Sequence, residues 1–293
     1  MRYSLRQLEV FLAVARGESV SGAAKSLAMS QSAVSGSLIE LERQFEIALF
    51  DRVGKRLQLS ELGRSLRPRI EALMSQASEL EARLGNQSEV GELRIGATLT
   101  VGNYLTAPLI AEFLRDEPGA HVSLHIGNTA EIAHKVSNFE LDVALVEGEL
   151  QAPELEVKSW REDELVVFCA PEHPFAKKRQ LSDADLLRAR WIVREPGSGT
   201  RQAFDHALHG LLTELEIAFE LPDTEAIKSA VKVGLGVGCV SRITLEDSFR
   251  LKSLVACRVP SRDFKRRFYG VVHRQKYKSA AVRRWLALCE RLR

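Results

Sequence analysis

One short segment near the N-terminus combines small residues with side chains that both donate and accept hydrogen bonds. Serine hydroxyls and a glutamine amide could bond to the edges of base pairs or to phosphate oxygens. Small residues would also let a helix backbone lie close to a partner. This combination predicts a helix that enters the major groove of DNA, as the second helix of a helix-turn-helix does. The candidate DNA-contacting residues are Ser30, Gln31, Ser32, Ser35, Gly36 and Ser37.

Ser30 has two interpretations. It stands where this helix would begin, so its hydroxyl could cap the first free backbone amides. Those amides could equally hold a phosphate group. The sequence is compatible with both roles.

Hydrophobic spacing predicts the helices that would position this segment. Leu5–Arg16 carries one apolar stripe and is expected to end at Gly17. Ser19 is the expected N-cap of a second helix. In the third helix, the side chains expected to face inward are Val34, Leu38, Leu41 and Phe45.

A basic hairpin is predicted directly after the third helix. Gly54 separates two short β-like runs in the segment LFDRVGKRLQLS. Beside a helix-turn-helix, a basic tip favours phosphate contacts, which are independent of sequence and strongly dependent on salt. A solvated turn is the alternative. The basic residues of this wing are Arg52, Lys55 and Arg56.

A long helix is predicted from Glu61 to about Leu84. Its apolar residues repeat at nearly heptad spacing, which favours pairing with a second helix; packing onto its own domain is the alternative. Pro68 is expected to bend the helix, and the polar stretch from Asn86 to Gly91 predicts a hinge. The seam consists of Leu62, Leu66, Ile70, Leu73, Ala77, Leu80 and Leu84.

Strands and helices alternate after Gly91, which predicts an α/β domain long enough for two lobes with a cleft between them. The continuous apolar run Leu141–Val146 indicates a strand of a parallel sheet covered on both faces. Further strands are expected at Leu93–Gly96, His121–Ile126, Glu164–Cys169, Trp191–Val193, Ala218–Leu221, Val237–Val240 and Phe268–Val272, and helices at Ala130–Asn138, Asp183–Arg188, Thr200–Leu212, Glu225–Val233 and Ala280–Leu292.

Three loops at the predicted carboxyl ends of strands carry hydroxyls, glycines and free amides. Ligands bind at this end of open α/β sheets, and helix N-termini favour anions. We therefore predict a small anionic effector, such as a carboxylate or an oxyanion of sulfur or phosphorus; helix capping is the alternative role of the hydroxyls. Glu147 would repel an anion, so it is expected to bind a donor group or to hold a contact across the lobes. The candidate residues are Thr98, Leu99, Thr100, Glu147, Ser198, Gly199, Thr200, Arg201 and Glu225.

Composition and motifs argue against other functions. A formal net charge of +2 means that any nucleic-acid surface must be local. Four widely spaced cysteines without a CxxC pair disfavour structural zinc and a disulfide framework. His206 and His209 lack a second ligand cluster, so no metal site is expected. The segment GLGVGC from Gly234 follows a helix and precedes a strand, which is the wrong context for a dinucleotide loop.

No convergent catalytic group and no cofactor site is predicted, so the chain is not expected to be an enzyme. The N-terminus lacks the features of a secretion signal, and no apolar run is long enough to cross a membrane. A cytoplasmic protein is therefore expected. A solute-binding protein and an α/β enzyme, both without a DNA role, are the alternative functional classes.

The whole chain resembles a LysR-type transcriptional regulator. The resemblance is carried by the opening LRQLEVFLAVA, the segment AAKSLAMSQSAVS, the wing and linker start LFDRVGKRLQLSELG, and the two-lobed remainder. The phrases GATLTVGNYL, REPGSGTR and TEAIKSAVKVGLGVGCVSR are most similar to the subgroup around regulators of sulfur assimilation and carbon fixation.

This resemblance implies an α-helical winged helix-turn-helix in residues 1–60 and a dimerisation helix with hinge in residues 61–90. Residues 91–293 would form an α/β effector domain resembling a periplasmic binding protein, with lobe I at about 91–161 and 267–293 and lobe II at about 162–266. The implied partners are double-stranded promoter DNA, further copies of the chain in a homodimer and homotetramer, the effector, and RNA polymerase. Many relatives carry arginine where this chain has Gly36, so one family DNA contact is missing.

Overall fold

A computed structural model describes residues 2–53, 56–85 and 91–292 of the chain. The N-terminal part contains three helices, a two-stranded antiparallel wing and the long helix. Leu8, Phe11 and Val34 are almost completely buried in its core, against which Leu66 and Ile70 of the long helix pack. The elements are α1 (Leu5–Gly17), α2 (Val20–Ser26), α3 (Gln31–Phe45), β1 (Phe50–Val53), β2 (Arg56–Leu59) and α4 (Glu61–Leu84).

Side-chain caps fix where the short helices begin. The Ser19 hydroxyl accepts a hydrogen bond from the backbone N–H of Gly22, and α2 therefore begins as predicted. Two expectations were wrong in detail. Helix α1 continues through Gly17 and ends at Glu18, whose φ of 46° is left-handed. Phe45 is 39% exposed because α3 ends there, so its side chain lies at the edge of the core.

The apolar seam of α4 is divided between two uses. Leu66 and Ile70 pack against the N-terminal core, which agrees with the alternative interpretation. Other seam residues remain exposed, namely Leu62, Leu73, Leu80 and Leu84. Pro68 lies inside the helix, which runs without interruption from Glu61 to Leu84. None of the described helices is both long and apolar enough to cross a membrane.

The C-terminal part begins with strands that build lobe I. The first strand is followed by a short helix, a π-helical turn at Gly102–Thr106 and a further helix. In chain order, the elements up to the first shared strand are β3 (Glu92–Thr98), α5 (Leu99–Val101), α6 (Ala107–Asp116), β4 (His121–Gly127), α7 (Thr129–Ser137), β5 (Val143–Glu147) and β6 (Leu155–Cys169).

The chain then builds lobe II and returns to lobe I. The remaining elements are α8 (Asp183–Arg188), β7 (Arg190–Arg194), α9 (Gly199–Ala207), β8 (Glu216–Leu221), α10 (Thr224–Lys232), β9 (Val237–Ser241), α11 (Glu246–Arg250), β10 (Val255–Cys257), β11 (Lys265–His273) and α12 (Ala280–Arg291).

Strands β6 and β11 belong to both lobes. The strand order is β4-β3-β5-β11-β6-β9-β7-β8, and β10 pairs with β6. Strand β3 is parallel to β4 and β5, whereas β11 is antiparallel to both β5 and β6. The strand predicted at Leu141–Val146 is therefore parallel to β3 on one side, as expected, and antiparallel to the returning strand β11 on the other. The expected strand Glu164–Cys169 is only the second half of β6, and neither β10 nor α11 was predicted.

Two glycines provide a test of how helix propensity and packing act in this fold. A methyl group at Gly36 would meet nothing within 4 Å, so Gly36→Ala should stabilise the N-terminal domain by about 1 kcal/mol through helix propensity. At Gly96 the same methyl group would lie 2.6 Å from Leu141 Cδ1, so Gly96→Ala should destabilise lobe I by about 1–3 kcal/mol.

Calorimetric unfolding of the full chain measures both effects. A lower unfolding temperature for Gly36→Ala would show that Gly36 has a structural role in α3.

Candidate DNA-binding and effector-binding sites

The polar face of α3 is open to solvent. Ser30, Gln31, Ser32 and Gly36 are exposed, Ser35 and Ser37 are half-buried, and the apolar side chains of Val34 and Leu38 lie on the buried side. Gln31, Ser32 and Gly36 are thus accessible to a partner, whereas Ser35 and Ser37 lie at the border with the buried side. Ser30 caps the helix by accepting a hydrogen bond from Ala33 N, and its hydroxyl lies 2.9 Å from that of Ser32.

The wing lies next to this helix in the chain, and part of it is described. Arg52 is exposed on β1 and pairs in register with Leu57 of β2. Arg56 begins β2, while Lys55 lies outside the described residues. The side chains of this surface carry the donors that phosphate contacts require.

Glu147 is the centre of the candidate effector site. It ends β5 and is only 1% exposed. Its Oε1 atom accepts a hydrogen bond of 2.9 Å from the backbone N–H of Thr100, and its Oε2 atom accepts one of 2.7 Å from the Thr200 hydroxyl. Thr100 belongs to lobe I and Thr200 to lobe II, so the carboxylate bridges the lobes. The expected cross-lobe contact of Glu147 is present.

Arg266 provides the counter-charge, and sequence reasoning missed it. Its Nη1 atom lies 2.7 Å from Glu147 Oε2, and its Nε atom lies 2.6 Å from Asp163 Oδ2. The Ser241 hydroxyl donates a hydrogen bond to the same Asp163 carboxylate. A buried guanidinium between two buried carboxylates therefore lies where the shared strands β6 and β11 run side by side.

The electrostatics of this cluster are set by burial and pairing together. Burial alone would raise the pKa of Glu147, but the Arg266 charge and the hydrogen bonds from Thr200 and Thr100 outweigh it and lower the pKa to about 2. Burial alone would lower the pKa of Arg266, whereas Glu147 and Asp163 raise it overall. Glu147 and Arg266 are therefore both charged at neutral pH.

Backbone atoms of the two lobes also meet at this point. The Thr129 hydroxyl donates to the carbonyl oxygen of Glu147 at 2.8 Å and accepts from the N–H of Gly199 at 3.1 Å. A Cβ atom on Gly199 would lie 2.2 Å from that same Glu147 oxygen, so only glycine fits there. Ser198 caps α9 by accepting from Thr200 N. Packing therefore accounts for the glycine at position 199, and helix capping accounts for Ser198, without any contact to a ligand.

Two of the predicted effector residues have other partners. Arg201 points along lobe II, where it pairs with Asp205 and Glu220. Glu225 is exposed and accepts hydrogen bonds from Tyr104 of lobe I and Lys228, which closes another edge between the lobes. Neither side chain contacts the Glu147 cluster in the hydrogen bonds of the structure.

Several buried donors around the lobes have no partner. Thr98 Oγ1, Thr224 Oγ1 and Arg266 Nη2 are inaccessible to solvent and form no hydrogen bond with any described residue. Leu99, the first residue of α5, is half-buried. Unpaired buried polar groups cost free energy, so such atoms are candidates for contact with a ligand.

The motifs set aside in the sequence have structural explanations. Gly234 has a φ of 82° just after α10, which fits a helix end. Helix α9 ends at Ala207, so His206 lies within the helix and His209 lies outside it. Among the described residues, no group of three or more His, Cys, Asp or Glu side chains could hold a metal ion.

Removal of the Glu147 charge tests the importance of the cluster. Glu147→Gln leaves Arg266 with one carboxylate instead of two, so it should destabilise the regulatory domain by about 3 kcal/mol at pH 7. Because the folded pKa is lowered to about 2 from the ordinary 4.5, this contribution is complete above pH 4.5 and declines as the pH falls from there towards 2.

Urea unfolding of wild type and variant at several pH values measures this difference. Glu225→Gln, at an exposed cross-lobe position, is the control and should change stability by no more than about 0.5 kcal/mol. Equal effects of the two substitutions would contradict the assignment.

Comparisons with known proteins agree with this geometry. Residues 5–64 match the family described as bacterial regulatory helix-turn-helix protein, lysR family, and residues 86–293 match the LysR substrate binding domain. The chain is 42% identical over 290 residues to the uncharacterized HTH-type transcriptional regulator YeiE of Escherichia coli (strain K12), covering 99% of this chain and 98% of the relative.

A second relative is the RuBisCO operon transcriptional regulator of Allochromatium vinosum, which is 34% identical and covers 96% of this chain and 94% of its own. Among solved structures, the regulatory domain of CcmR from Synechocystis PCC6803 in complex with 2-PG superimposes with a TM-score of 0.64. It is 29% identical and covers 69% of this chain and 97% of its own. Both halves of the protein thus point to one assignment: the chain belongs to the LysR family of DNA-binding transcriptional regulators.

Proposed function

We propose that this regulator reads promoter DNA with α3 and the wing, and that a small anionic effector between the lobes modulates this binding. The exposed residues of α3 support the first part, because the accessible Ser32 hydroxyl and Gln31 amide can meet base edges. The Glu147 cluster is the observation that carries the second part. It places a cation, a hydroxyl and a helix N-terminal amide around one carboxylate at the junction of the lobes.

The effector must satisfy the charge balance of that cluster. One guanidinium faces two carboxylates, so a fully ionised ligand that carries no proton would be repelled by Glu147. An effector with an anionic group and a hydroxyl or acid proton avoids this conflict. The anionic group would accept hydrogen bonds from Arg266 Nη2 and from the Thr98 and Thr224 hydroxyls, which have no partner among the described residues. The hydroxyl or acid group of the effector would donate a hydrogen bond to the Glu147 carboxylate.

Ligand binding by a relative is consistent with this class. The CcmR regulatory domain, 29% identical to this chain, holds 2-PG. In this chain, Thr100, Ser198 and Thr200 are buried where strand ends and helix starts meet. Leu99, Gly199, Arg201 and Glu225 would shape the site or its closure rather than hold the anion.

Self-association would set the spacing of two DNA-binding units. The exposed seam residues of α4 need an apolar cover, and a second α4 helix offers a matching surface in a homodimer. Pairing of regulatory domains would give a homotetramer. A change in the angle between these units would alter DNA bending and thereby contact with RNA polymerase.

Gel-shift titrations against promoter and random fragments test the DNA-reading residues. Arg52→Ala should weaken binding to both fragments alike and reduce the salt slope by about 1, because Arg52 would contact phosphate. Gln31→Ala should lower only the preference for the promoter, at a cost of about 1–3 kcal/mol.

The control is Arg250→Ala, which removes another exposed charge, from α11 in lobe II, and should leave DNA binding unchanged. Equal losses for Gln31→Ala on both fragments would exclude a reading role for Gln31.

Thermal-shift screening against carboxylates, sulfite, sulfate, phosphate esters and neutral metabolites tests the effector class. A ligand at one hundred times its Kd should stabilise the protein by about 2.7 kcal/mol. Thr98→Val removes one of the buried hydroxyls without a partner among the described residues and keeps the side-chain shape, so it should reduce the shift for anions. If neutral metabolites alone stabilise the protein, the effector is not anionic, although the regulator assignment stands.

A further inference from the structure

One of the contacts between the linker helix and the regulatory domain is made by a buried arginine. Arg67 of α4 is 7% exposed. Its guanidinium donates hydrogen bonds to the backbone carbonyl and the side-chain oxygen of Asn138, which caps the C-terminus of α7. A cation at a helix C-terminus is favoured by the free carbonyls and the helix dipole. This contact therefore joins the DNA-binding half of the chain to one particular helix of lobe I.

Phe139 forms the floor of this contact. The Arg67 guanidinium lies 5.6 Å from the centre of the Phe139 ring, and Lys276 Nζ lies 5.8 Å from it. The ring is also 4.1 Å from that of His273. Phe139 is 3% exposed and has a φ of 56°, a left-handed conformation that a bulky residue adopts only when its surroundings require it. The docking site for Arg67 is thus specifically built at the end of α7.

The opposite end of α7 lies at the lobe junction. The N–H of Ala130 donates to the carbonyl of Gly197 in lobe II at 3.2 Å, and the Thr129 hydroxyl connects Glu147 O to Gly199 N. Asn128, the N-cap, also reaches Glu195 of lobe II at 3.4 Å. Each of these polar contacts at the start of α7 reaches either lobe II or Glu147, which itself accepts a hydrogen bond from Thr200 of lobe II.

The middle of α7 packs through apolar side chains. Ile132 and Val136 are fully buried against Leu141, Ala144 and Val146. Apolar packing is non-directional, whereas the hydrogen bonds at the two ends are directional. Shifts of about 1–2 Å are typical of helices that slide within packed proteins. A shift of α7 that begins at the lobe junction would therefore also move its other end, where Asn138 contacts Arg67.

We propose that α7 couples the lobe junction to the linker helix, with Asn138 and Phe139 as the receiving site for Arg67. The helix has nine residues, so it carries this coupling over roughly 13 Å. A change in the position of lobe II would displace Thr129 and Ala130, which bond to it. The displacement of α7 would alter the Asn138–Phe139 site and thereby weaken or strengthen its contact with Arg67 of α4. The inference rests on the proposed function only in assuming that the lobes move in response to an effector.

Hydrogen–deuterium exchange of the full-length protein, without effector or DNA, tests the coupling. Thr129→Val removes the bridging hydroxyl and should accelerate exchange both at the start of α7 and in residues 64–71 of α4. An increase of about fivefold in α4 is expected, which is the lower end of couplings between protein sites. In an Arg67→Met background, which keeps the apolar stem, Thr129→Val should add no further change in α4.

A matched control comes from a second contact of the same helix. Glu79 of α4 accepts hydrogen bonds from Ala280 N and Tyr277 Oη, away from α7. In a Glu79→Gln background the fivefold effect of Thr129→Val on residues 64–71 should persist. If Thr129→Val prevents folding, Asn128→Asp replaces it, because aspartate keeps the helix cap but repels Glu195.

Two results would overturn the proposal: faster exchange at the start of α7 with no change in α4, or the same change in α4 with and without Arg67. Because neither DNA nor effector is present, these results are independent of the proposed function. That function would instead fail in the gel-shift and thermal-shift measurements.

Discussion

A guanidinium held between two carboxylates is the constraint on which the regulatory domain depends. Arg266 lies on β11 and Asp163 on β6, the strands that both lobes share, while Glu147 ends β5 of lobe I. Burying these charges is costly unless every one of them is paired and hydrogen-bonded. The cluster therefore requires a helix N-terminal amide from one lobe and a hydroxyl from the other, which fixes the strand-end loops of both lobes around a single point.

Local signals in the sequence were sufficient for most helices and for the α/β alternation. The bounds of α8 and the start of α3 were predicted correctly because a serine cap and an apolar stripe act within one or two turns. The first half of β6 was missed, since LEVKSWRED alternates irregularly between charged and apolar residues. Its pairing with β11, about a hundred residues later in the chain, determines that it is a strand.

The candidate effector site shows the same division between local and distant information. Thr98, Thr100 and Thr200 could be located because each stands at a predicted strand end or helix start. Arg266 could not, because the run DFKRRFYG has the composition of a basic surface strand. Its burial results from Asp163, 103 residues earlier, and from Glu147. Arg201 pairs instead with Asp205 and Glu220 within lobe II, and Glu225 bonds across the lobes to Tyr104, and no local pattern could show either partner.

The attachment of α4 explains how a small displacement in lobe I could reach the DNA-binding surface. The first turns of this helix are fixed to the N-terminal core by Leu66 and Ile70 and by the ion pair of Glu71 with Arg16. Arg67 lies between those residues and binds the end of α7. No hinge separates the two attachments, because they share the same three turns of one continuous helix. A tilt imposed on α4 at Arg67 must therefore move the N-terminal core, and with it the exposed face of α3, as one unit.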